Sequence, residues 1–491
     1  MTNRSLAEWL ELLEQRHPCE IDLGVDRVAE VWQRFKNRQS LSGEVGRSKI
    51  ITVAGTNGKG SCVATMQSIL LAHGYSVGSF TSPHFQRYNE RICIDGCHAT
   101  DQQIVDAFEQ IEHLRQQVSL TYFEFNTLAA LIIFSHSDLD VVLLEVGLGG
   151  RLDATNIINP DIAVLTSIDL DHQQWLGDTR TKIAREKLGI ARPKTPLIIG
   201  ETNYPTGFEK LVADTGAQAL WLGRDFQFYE RDQGLTIEPD WQGVTTGFTQ
   251  LDRLSKKGLL ATNKTIALQA LVSLGCVLDA NKCRVAIDNA AVMGRQQRLV
   301  YQSVPVILDV AHNPAAAAVL ASSLELEVGE VIAVASVLED KDWSSMVDHL
   351  KSRVDYWHIA ELSGISRAAK GQSLVNLLYN TEVKVTLENM KIDIPELVSD
   401  IKIETHPFQK YIEDLFDDNI SILGMDSEFL KNVNKDTWST YNITEKWKQT
   451  KLAKLVKGIG DHFNVLLFNA KHPAWDLFNH VPFDIICLET R

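Results

Sequence analysis

Short apolar, β-branched runs alternate with amphipathic stretches along most of this chain. Ile50 to Ala54, Val141 to Val146, Ile162 to Ile168 and Pro196 to Ile199 are apolar at consecutive positions. Both faces of such strands must be buried, which predicts a mainly parallel sheet covered by helices. Helical spacing fills the intervals. Ser5-Leu6-Ala7-Glu8 reads as a capping box, and Leu6, Trp9, Leu10 and Leu13 follow on one face. Val63, Met66 and Leu70 predict a helix ending near Gly74, and Thr262 to Leu278 predicts another. Beyond a junction at Gly294-Arg295, Val304 to Val310 and Val331 to Val337 read as strands with an Ala-rich helix between them. Past about Tyr379 the texture changes: no arginine occurs between Arg367 and Arg491, and Ile420 to Leu423, Val465 to Phe468 and Ile485 to Leu488 read as further strands. The fold class is α/β. A sheet domain is expected over 1–292, a smaller α/β domain over 293–379, and a segment of unassigned role over 380–491.

Composition narrows the function. A chain of 491 residues is too long for one core. A formal net charge of -15 argues against non-specific nucleic-acid binding, which needs surplus Lys and Arg, while leaving room for a local cationic pocket. Charged residues occupy Met1 to Gln15 where a signal peptide needs an apolar core. No run is apolar enough to span a membrane. The 7 cysteines are scattered with no CxxC pair, as reduced thiols are. A cytoplasmic protein is expected.

The first candidate chemistry is Gly55-Thr56-Asn57-Gly58-Lys59-Gly60-Ser61, between a strand and a helix. Glycines let the backbone curl around a phosphate, and a helix N-terminus presents unpaired N–H groups to it. Lys59 supplies charge for β/γ oxygens, and Ser61 can reach Mg²⁺ or phosphate. The common P-loop pattern fails at two positions, because Val53 replaces its first glycine and Gly60 intervenes before Ser61. Metal candidates stand at other strand ends. Glu145 precedes Gly147-Leu148-Gly149-Gly150, and Asp169-Leu170-Asp171-His172 follows the next strand. Ligand chemistry gathers at the carboxyl ends of such strands. By residue chemistry alone His172 reads equally as a structural histidine, since Mg²⁺ favours oxygen, and Ser82 as an ordinary turn serine.

Taken together, GTNGKGS at 55–61, Thr81-Ser82-Pro83-His84, the string from Glu145 through Gly150-Arg151-Leu152-Asp153-Ala154-Thr155 to Asn156, and Asp309-Val310-Ala311-His312-Asn313-Pro314 resemble folylpolyglutamate synthase / dihydrofolate synthase, a branch of the Mur ligase superfamily. The likeness runs from about Leu6 to Leu378. It implies a P-loop Mur-ligase-like first domain. It implies that Asn57, Gly58, Lys59, Gly60 and Ser61 hold ATP, with Asn263, Arg295, Asp309 and His312 at the same nucleotide, and that Ser82, Glu145 and His172 hold Mg²⁺. Lys187 matches a lysine that family members carry as a carbamate. Asp26, Arg27, Val28 and Ala29, then Thr121, Tyr122, Phe123 and Glu124, then Leu152, Asp153 and Ala154 match segments that contact the pteroate. The bland reading of Phe123 is core packing; the alternative is an aromatic face for a flat heterocycle.

The implied reaction joins L-glutamate to dihydropteroate, to tetrahydrofolate polyglutamates, or to both. An acyl phosphate forms from ATP, and Lys59, Lys187, His172 and Arg295 serve catalysis. ATP is expected between two closing domains of a monomer. Two departures stand against the pattern. Gln296 follows Arg295 where an apolar or aromatic residue is common, and the Gly-Ser-Phe-type string that ends the second domain is absent after Leu378. If the tail leaves a strand edge unpaired, the alternative is a nucleotide- or folate-binding protein without turnover.

Overall fold

The structure is a computed structural model. It describes residues 4–16, 22–39, 44–85, 87–239, 250–256, 258–301, 304–324, 331–359, 369–379, 384–386, 391–392, 465–469 and 483–484. The chain divides into two compact units, Met1–Val292 and Met293–Arg491.

The first unit is built on β1 (Lys49–Ala54), β2 (Val77–Phe80), β3 (Ile92–Ile94), β4 (Cys97–His98), β5 (Val141–Glu145), β6 (Ile162–Leu165), β7 (Pro196–Ile199) and β8 (Gln218–Trp221), in the order β4-β3-β2-β5-β1-β6-β7-β8. The six strands from β2 to β8 in that order pair in parallel. β3 and β4 join antiparallel at one edge. Successive residues of a strand point to opposite faces, and the core divides accordingly. Ile50, Val142 and Leu144 pack with Trp9, Phe108 and Phe125 on one face. Ile51, Val53, Val141 and Leu143 pack with Met66, Leu268 and Leu271 on the other.

The helices of this unit are α1 (Leu6–Arg16), α2 (Asp26–Gln39), α3 (Lys59–Ala72), α4 (Asp101–Arg115), α5 (Tyr122–Ser135), α6 (Gln173–Leu176), α7 (Arg180–Leu188), α8 (Phe208–Asp214), α9 (Ala261–Leu274) and α10 (Ala280–Asn289). α1 starts at the expected capping box: Ser5 N donates to Glu8 Oε2 at 2.7 Å, and Glu8 N donates back to Ser5 Oγ at 3.4 Å. Two expected elements are shorter than the apolar pattern suggests. β6 stops at Leu165, where Thr166 and Ser167 turn to other partners. α9 stops at Leu274, where Gly275 takes the left-handed conformation at φ 86°. A three-stranded sheet of β9 (Gln227–Arg231), β10 (Gly234–Glu238) and β11 (Leu251–Leu254) was not expected from the sequence.

The second unit contains β12 (Gln297–Tyr301), β13 (Val304–Asp309), β14 (Val331–Ala335), β15 (Tyr356–Ile359), β16 (Lys384–Thr386), β17 (Lys391–Ile392), β18 (Val465–Asn469) and β19 (Phe483–Asp484), with α11 (Pro314–Ser323), α12 (Trp343–Leu350) and α13 (Gly371–Tyr379). Its main sheet runs β12-β13-β18-β14-β15-β16. β18 lies between β13 and β14, antiparallel to both, so the tail supplies a strand to the sheet. β17 pairs antiparallel with β19. The candidate strands Ile420 to Leu423 and Ile485 to Leu488 lie outside the described residues. No helix among the described residues is long and apolar enough to cross a membrane.

Candidate active site

The loop between β1 and α3 lies open at its helix end. Gly58 is the N-cap of α3 at φ 85°, and no side chain caps the first turn. The first-turn N–H groups of a helix have no acceptor within the helix, and its dipole favours an anion there. A β-carbon at Gly58 would lie 2.5 Å from Asn263 Oδ1, so the buried Asn263 of α9 stands directly against the loop. Lys59 Nζ donates to the carbonyls of Gly55 at 3.0 Å and Thr56 at 3.3 Å. The ammonium is thus held over the loop that the sequence assigned to phosphates.

The loop is supported from below by the segment after β6. Thr166 Oγ1 donates to the Asn57 carbonyl at 2.6 Å. Asn57 N donates to Ser167 Oγ at 2.9 Å, and Asp169 N donates to Thr56 Oγ1 at 2.9 Å. Of these supports only Asp169 was singled out from the sequence, and as a metal candidate rather than a brace of the loop. The available signal was the pair of small hydroxyl residues at the end of an otherwise apolar strand.

Glu145, the last residue of β5, is 4% exposed, and its Oε2 accepts from Ser82 N at 3.1 Å. A β-carbon at Gly60 would lie 3.5 Å from the same oxygen. The carboxylate, the start of α3 and Ser82 therefore meet, though they are far apart in sequence. His172 stands on the loop after β6 in the left-handed conformation, φ 48°, and is 38% exposed, with Nε2 3.9 Å from Asp171 Oδ2. Among the described residues no three His, Cys, Asp or Glu side chains cluster closely enough to hold a metal by themselves. A metal here would depend on phosphate and water oxygens for the rest of its shell, a habit of Mg²⁺.

Lys187 of α7 is 4% exposed. Burial, with the Lys59 charge nearby, pulls its ammonium down to about 7, while Asp171 and Asp153 pull the other way. Its backbone also meets the glycine string: a β-carbon at Gly150 would come within 2.8 Å of the Glu186 carbonyl and 2.9 Å of the Lys187 carbonyl.

The string after β5 is braced from within by Asp153 and from outside by α7, where Arg151 N donates to the Glu186 carbonyl at 2.7 Å. Asp153 is buried, and burial pushes its carboxyl above the usual range against the hydrogen bonds it accepts. Its Oδ2 accepts from Leu148 N at 2.9 Å, and its Oδ1 from Thr155 N at 2.9 Å and Thr155 Oγ1 at 2.7 Å. Leu152 is half-buried, and Ala154 is buried.

The expected acceptor segments also come together. Thr121 and Glu124 form the capping box of α5, with Thr121 N donating to Glu124 Oε2 at 2.7 Å. Arg27 donates through Nε to Glu124 Oε1 at 3.3 Å and through Nη1 to Asp22 Oδ2 at 2.6 Å. The ion pair ties the start of α2, where Asp26 is exposed, Ala29 half-buried and Val28 buried, to α5. Phe123 lies against Phe80, ring centroids 5.9 Å apart. Arg91, unremarked in the sequence, is buried; its guanidinium lies over the rings of Tyr88 and Tyr122 and donates to His84 Nδ1 at 2.7 Å.

Within the second unit, Asp309 is buried at the end of β13. Its Oδ2 accepts from Gln296 N and its Oδ1 from Ala311 N, both at 2.8 Å. Burial raises its pKa, and the Arg295 charge opposes the rise. Gln296, the departure noted above, takes a left-handed φ of 46°, with its N–H held by Asp309. His312 Nδ1 donates to the Val310 carbonyl at 2.9 Å, which fixes the orientation of the ring.

Known proteins resemble this arrangement over most of the chain. The Mur ligase, glutamate ligase domain family matches residues 294–401. A dihydrofolate synthase/folylpolyglutamate synthase of Escherichia coli strain K12 is 41% identical over 377 residues, covering 76% of this chain and 86% of that protein. The structure of E. coli FolC in complex with DHPP and ADP aligns with a TM-score of 0.71 at 39% identity, covering 79% of this chain and 90% of that one. A bifunctional folylpolyglutamate synthase/dihydrofolate synthase with Mn, AMPPNP and L-glutamate bound aligns at 0.69 and 38%, with the same coverage. The chain belongs to the dihydrofolate synthase/folylpolyglutamate synthase family of ATP-dependent ligases.

Proposed function

We propose that this chain joins L-glutamate to dihydropteroate, to tetrahydrofolate polyglutamates, or to both, with ATP as the energy source and Mg²⁺ as the metal. The observation that carries the reading is the meeting of Glu145, Ser82 and the open start of α3 in one place.

The support for Mg²⁺ is the hard carboxylate oxygen of Glu145. A buried carboxylate oxygen stands beside Gly60, where no side chain intervenes. Glu145, Ser82 and His172 would hold the ion, which when bound neutralises phosphate charge. The N–H groups of Gly58 to Ser61 bind the phosphates, and Lys59 turns from the loop carbonyls to the β/γ oxygens. Asn57 and Asn263 line the same nucleotide. From the second unit Arg295, Asp309 and His312 are assigned to ATP, and Arg295 suits the charge on the transferred phosphoryl group.

The acceptor's carboxylate oxygen attacks the γ-phosphorus, and the bond to the β–γ bridging oxygen breaks to release ADP. The glutamate amine then attacks the acyl carbon. The carbon–oxygen bond breaks, phosphate leaves, and the nitrogen loses its proton. Catalysis here is positioning and charge stabilisation. Asp26 to Ala29, Thr121 to Glu124 and Leu152 to Ala154 frame the acceptor, with Phe123 as its aromatic face. A lysine held near neutrality by burial has a free amine able to attack CO₂: its nitrogen forms a bond to carbon and a proton leaves. We assign Lys187 as the resulting carbamate.

The test is phosphate release from Mg-ATP with dihydropteroate, then with tetrahydrofolate, each with and without L-glutamate, beside Lys59→Ala. Glutamate-dependent release that Lys59→Ala abolishes is the expected result. Folded protein that binds Mg-ATP but releases no phosphate with either acceptor would replace the ligase with a binding protein.

A further inference from the structure

Three glycines of the string after β5 require glycine for three different reasons. Gly149 takes a φ of 70°, which side chains disfavour. Gly150 packs its backbone against the carbonyls of Glu186 and Lys187. Gly147 meets neither condition. Its φ lies outside the left-handed region, and the nearest atoms a β-carbon would strike are not backbone. They are Phe123 Cζ at 2.5 Å, Cε2 at 2.7 Å and Cε1 at 3.0 Å, the tip of a single aromatic ring.

We infer that Gly147 is a positioning residue for the flat heterocycle of the acceptor, acting through Phe123. The ring of Phe123 is held between Phe80 on one side and the bare α-carbon of Gly147 at its tip. Its backbone is fixed by the Thr121–Glu124 capping box at the start of the same helix. Gly147 is equally fixed. Val146 N bonds to the Val53 carbonyl on one side of it, and Leu148 N to Asp153 on the other. A methyl group at position 147 therefore moves the ring rather than the strand, and tilts the surface offered to the heterocycle. This rests on the assignment of Phe123 to the acceptor and adds what sets the plane of its ring.

The experiment compares Gly147→Ala, Phe123→Leu and the double variant in the full chain by steady-state kinetics and thermal melting. The expected result for Gly147→Ala is a KM for dihydropteroate raised by roughly three- to tenfold, the range for losing an aromatic contact, with kcat and the KM for ATP within about twofold of wild type. Phe123→Leu raises the same KM, and the double variant is no worse than Phe123→Leu, because leucine has no ring tip for the methyl to displace. Should Gly147→Ala fail to fold, the comparison of Phe123→Leu with the double variant still decides. An equal penalty in both backgrounds, or a rise in the KM for ATP and the Mg²⁺ requirement, would show that position 147 acts through Glu145 and overturn the inference. A Phe123→Leu variant with an unchanged dihydropteroate KM would instead remove the Phe123 assignment, and the inference with it.

Discussion

Two glycine-rich loops leave neighbouring strands of the first unit, and they solve opposite problems. The loop after β1 keeps the start of α3 uncapped and takes its support from outside, through Thr166, Ser167 and Asp169. The loop after β5 has its donors already taken, chiefly from within: the carboxylate of Asp153 accepts from Leu148 N, Thr155 N and the Thr155 hydroxyl, and Arg151 N donates outward to the Glu186 carbonyl of α7. Glycine content does not distinguish a ligand cradle from a scaffold. The distinction lies in whether a side chain of the loop has already taken the backbone donors that a ligand would use.

The largest expected effect is on the open loop. Lys59→Ala removes the only charge that the loop itself carries, and glutamate-dependent phosphate release should fall by on the order of a thousandfold or more. The melting temperature should hold, because the bonds of Lys59 to the Gly55 and Thr56 carbonyls lie within one loop and tie no separate elements together. A variant that melts early and keeps its turnover would mean that Lys59 is a structural residue.

Lys187 connects the two loops, since Gly150 packs on its backbone and the Lys59 charge lowers its pKa. An amine at about 7 in the folded chain, against an ordinary 10.5, binds fewer protons folded than unfolded throughout that interval. Stability should therefore rise with pH across it and be lost as pH falls through about 7. Lys187→Met should flatten that slope in melts taken from pH 6 to 9 without bicarbonate. A slope that survives the substitution would assign it to another group. In the wild type, removal of bicarbonate should lower turnover and its return should restore it; in Lys187→Met neither change should matter.

Asp153→Ala strikes the loop after β5. Two backbone N–H groups and one hydroxyl would lose a buried acceptor, at a cost of about 2–4 kcal/mol, which is several degrees in the melting temperature of a unit this size. Burial raises the Asp153 pKa, so the folded chain binds more protons here than the unfolded one. The contribution is then fully present below the ordinary carboxylate range and falls away as pH rises through the raised value. Melts from pH 3.5 to 7 should lose that component in Asp153→Asn, and a variant as stable as wild type at every pH would deny Asp153 its scaffold role.

The backbone features of the site were legible because they depend on residue types with narrow physical meanings. Consecutive apolar runs marked β1, β5 and β7 as doubly buried, and GTNGKGS between a strand and a helix marked the phosphate loop. Glu145 was legible as an acid at a strand end. What the sequence could not show was which oxygen faces which nitrogen. Nothing in Thr166-Ser167 says that the pair supports Asn57, over a hundred residues earlier. Nothing in Gly147 says that its missing side chain leaves room for Phe123. The antiparallel edge β3–β4 and the sheet β9–β11 escaped because short half-exposed strands lack the continuous apolar signal that reveals a buried one. The place of β18 was illegible for the opposite reason: Val465 to Phe468 reads as a strand, but the pattern carries no information about its neighbours.

The smallest predicted effects test the comparison most directly, because the same chemical change is made in each loop. Thr166→Val removes the hydroxyl that donates to the Asn57 carbonyl, and Thr155→Val removes the one that donates to Asp153. Asn57 O also accepts from Ser167 Oγ at 3.1 Å, so the open loop is loosened rather than released. Valine's methyl also crowds Gly55, whose α-carbon faces the hydroxyl closely enough that a β-carbon there would lie 1.8 Å away. The expected result for Thr166→Val is a KM for ATP raised by about two- to fivefold, matching roughly 0.5–1 kcal/mol for one neutral hydrogen bond, with kcat and melting temperature little changed. Thr155→Val should do the reverse, lowering the melting temperature by about 2–4 °C while leaving the KM for ATP alone. If both variants shift the KM for ATP equally, the string after β5 takes part in holding the nucleotide and its bracing by Asp153 is incidental. If both shift only the melting temperature, the Thr166–Asn57 bond is structural, and the loop keeps its shape for ATP through Ser167 and Asp169 alone.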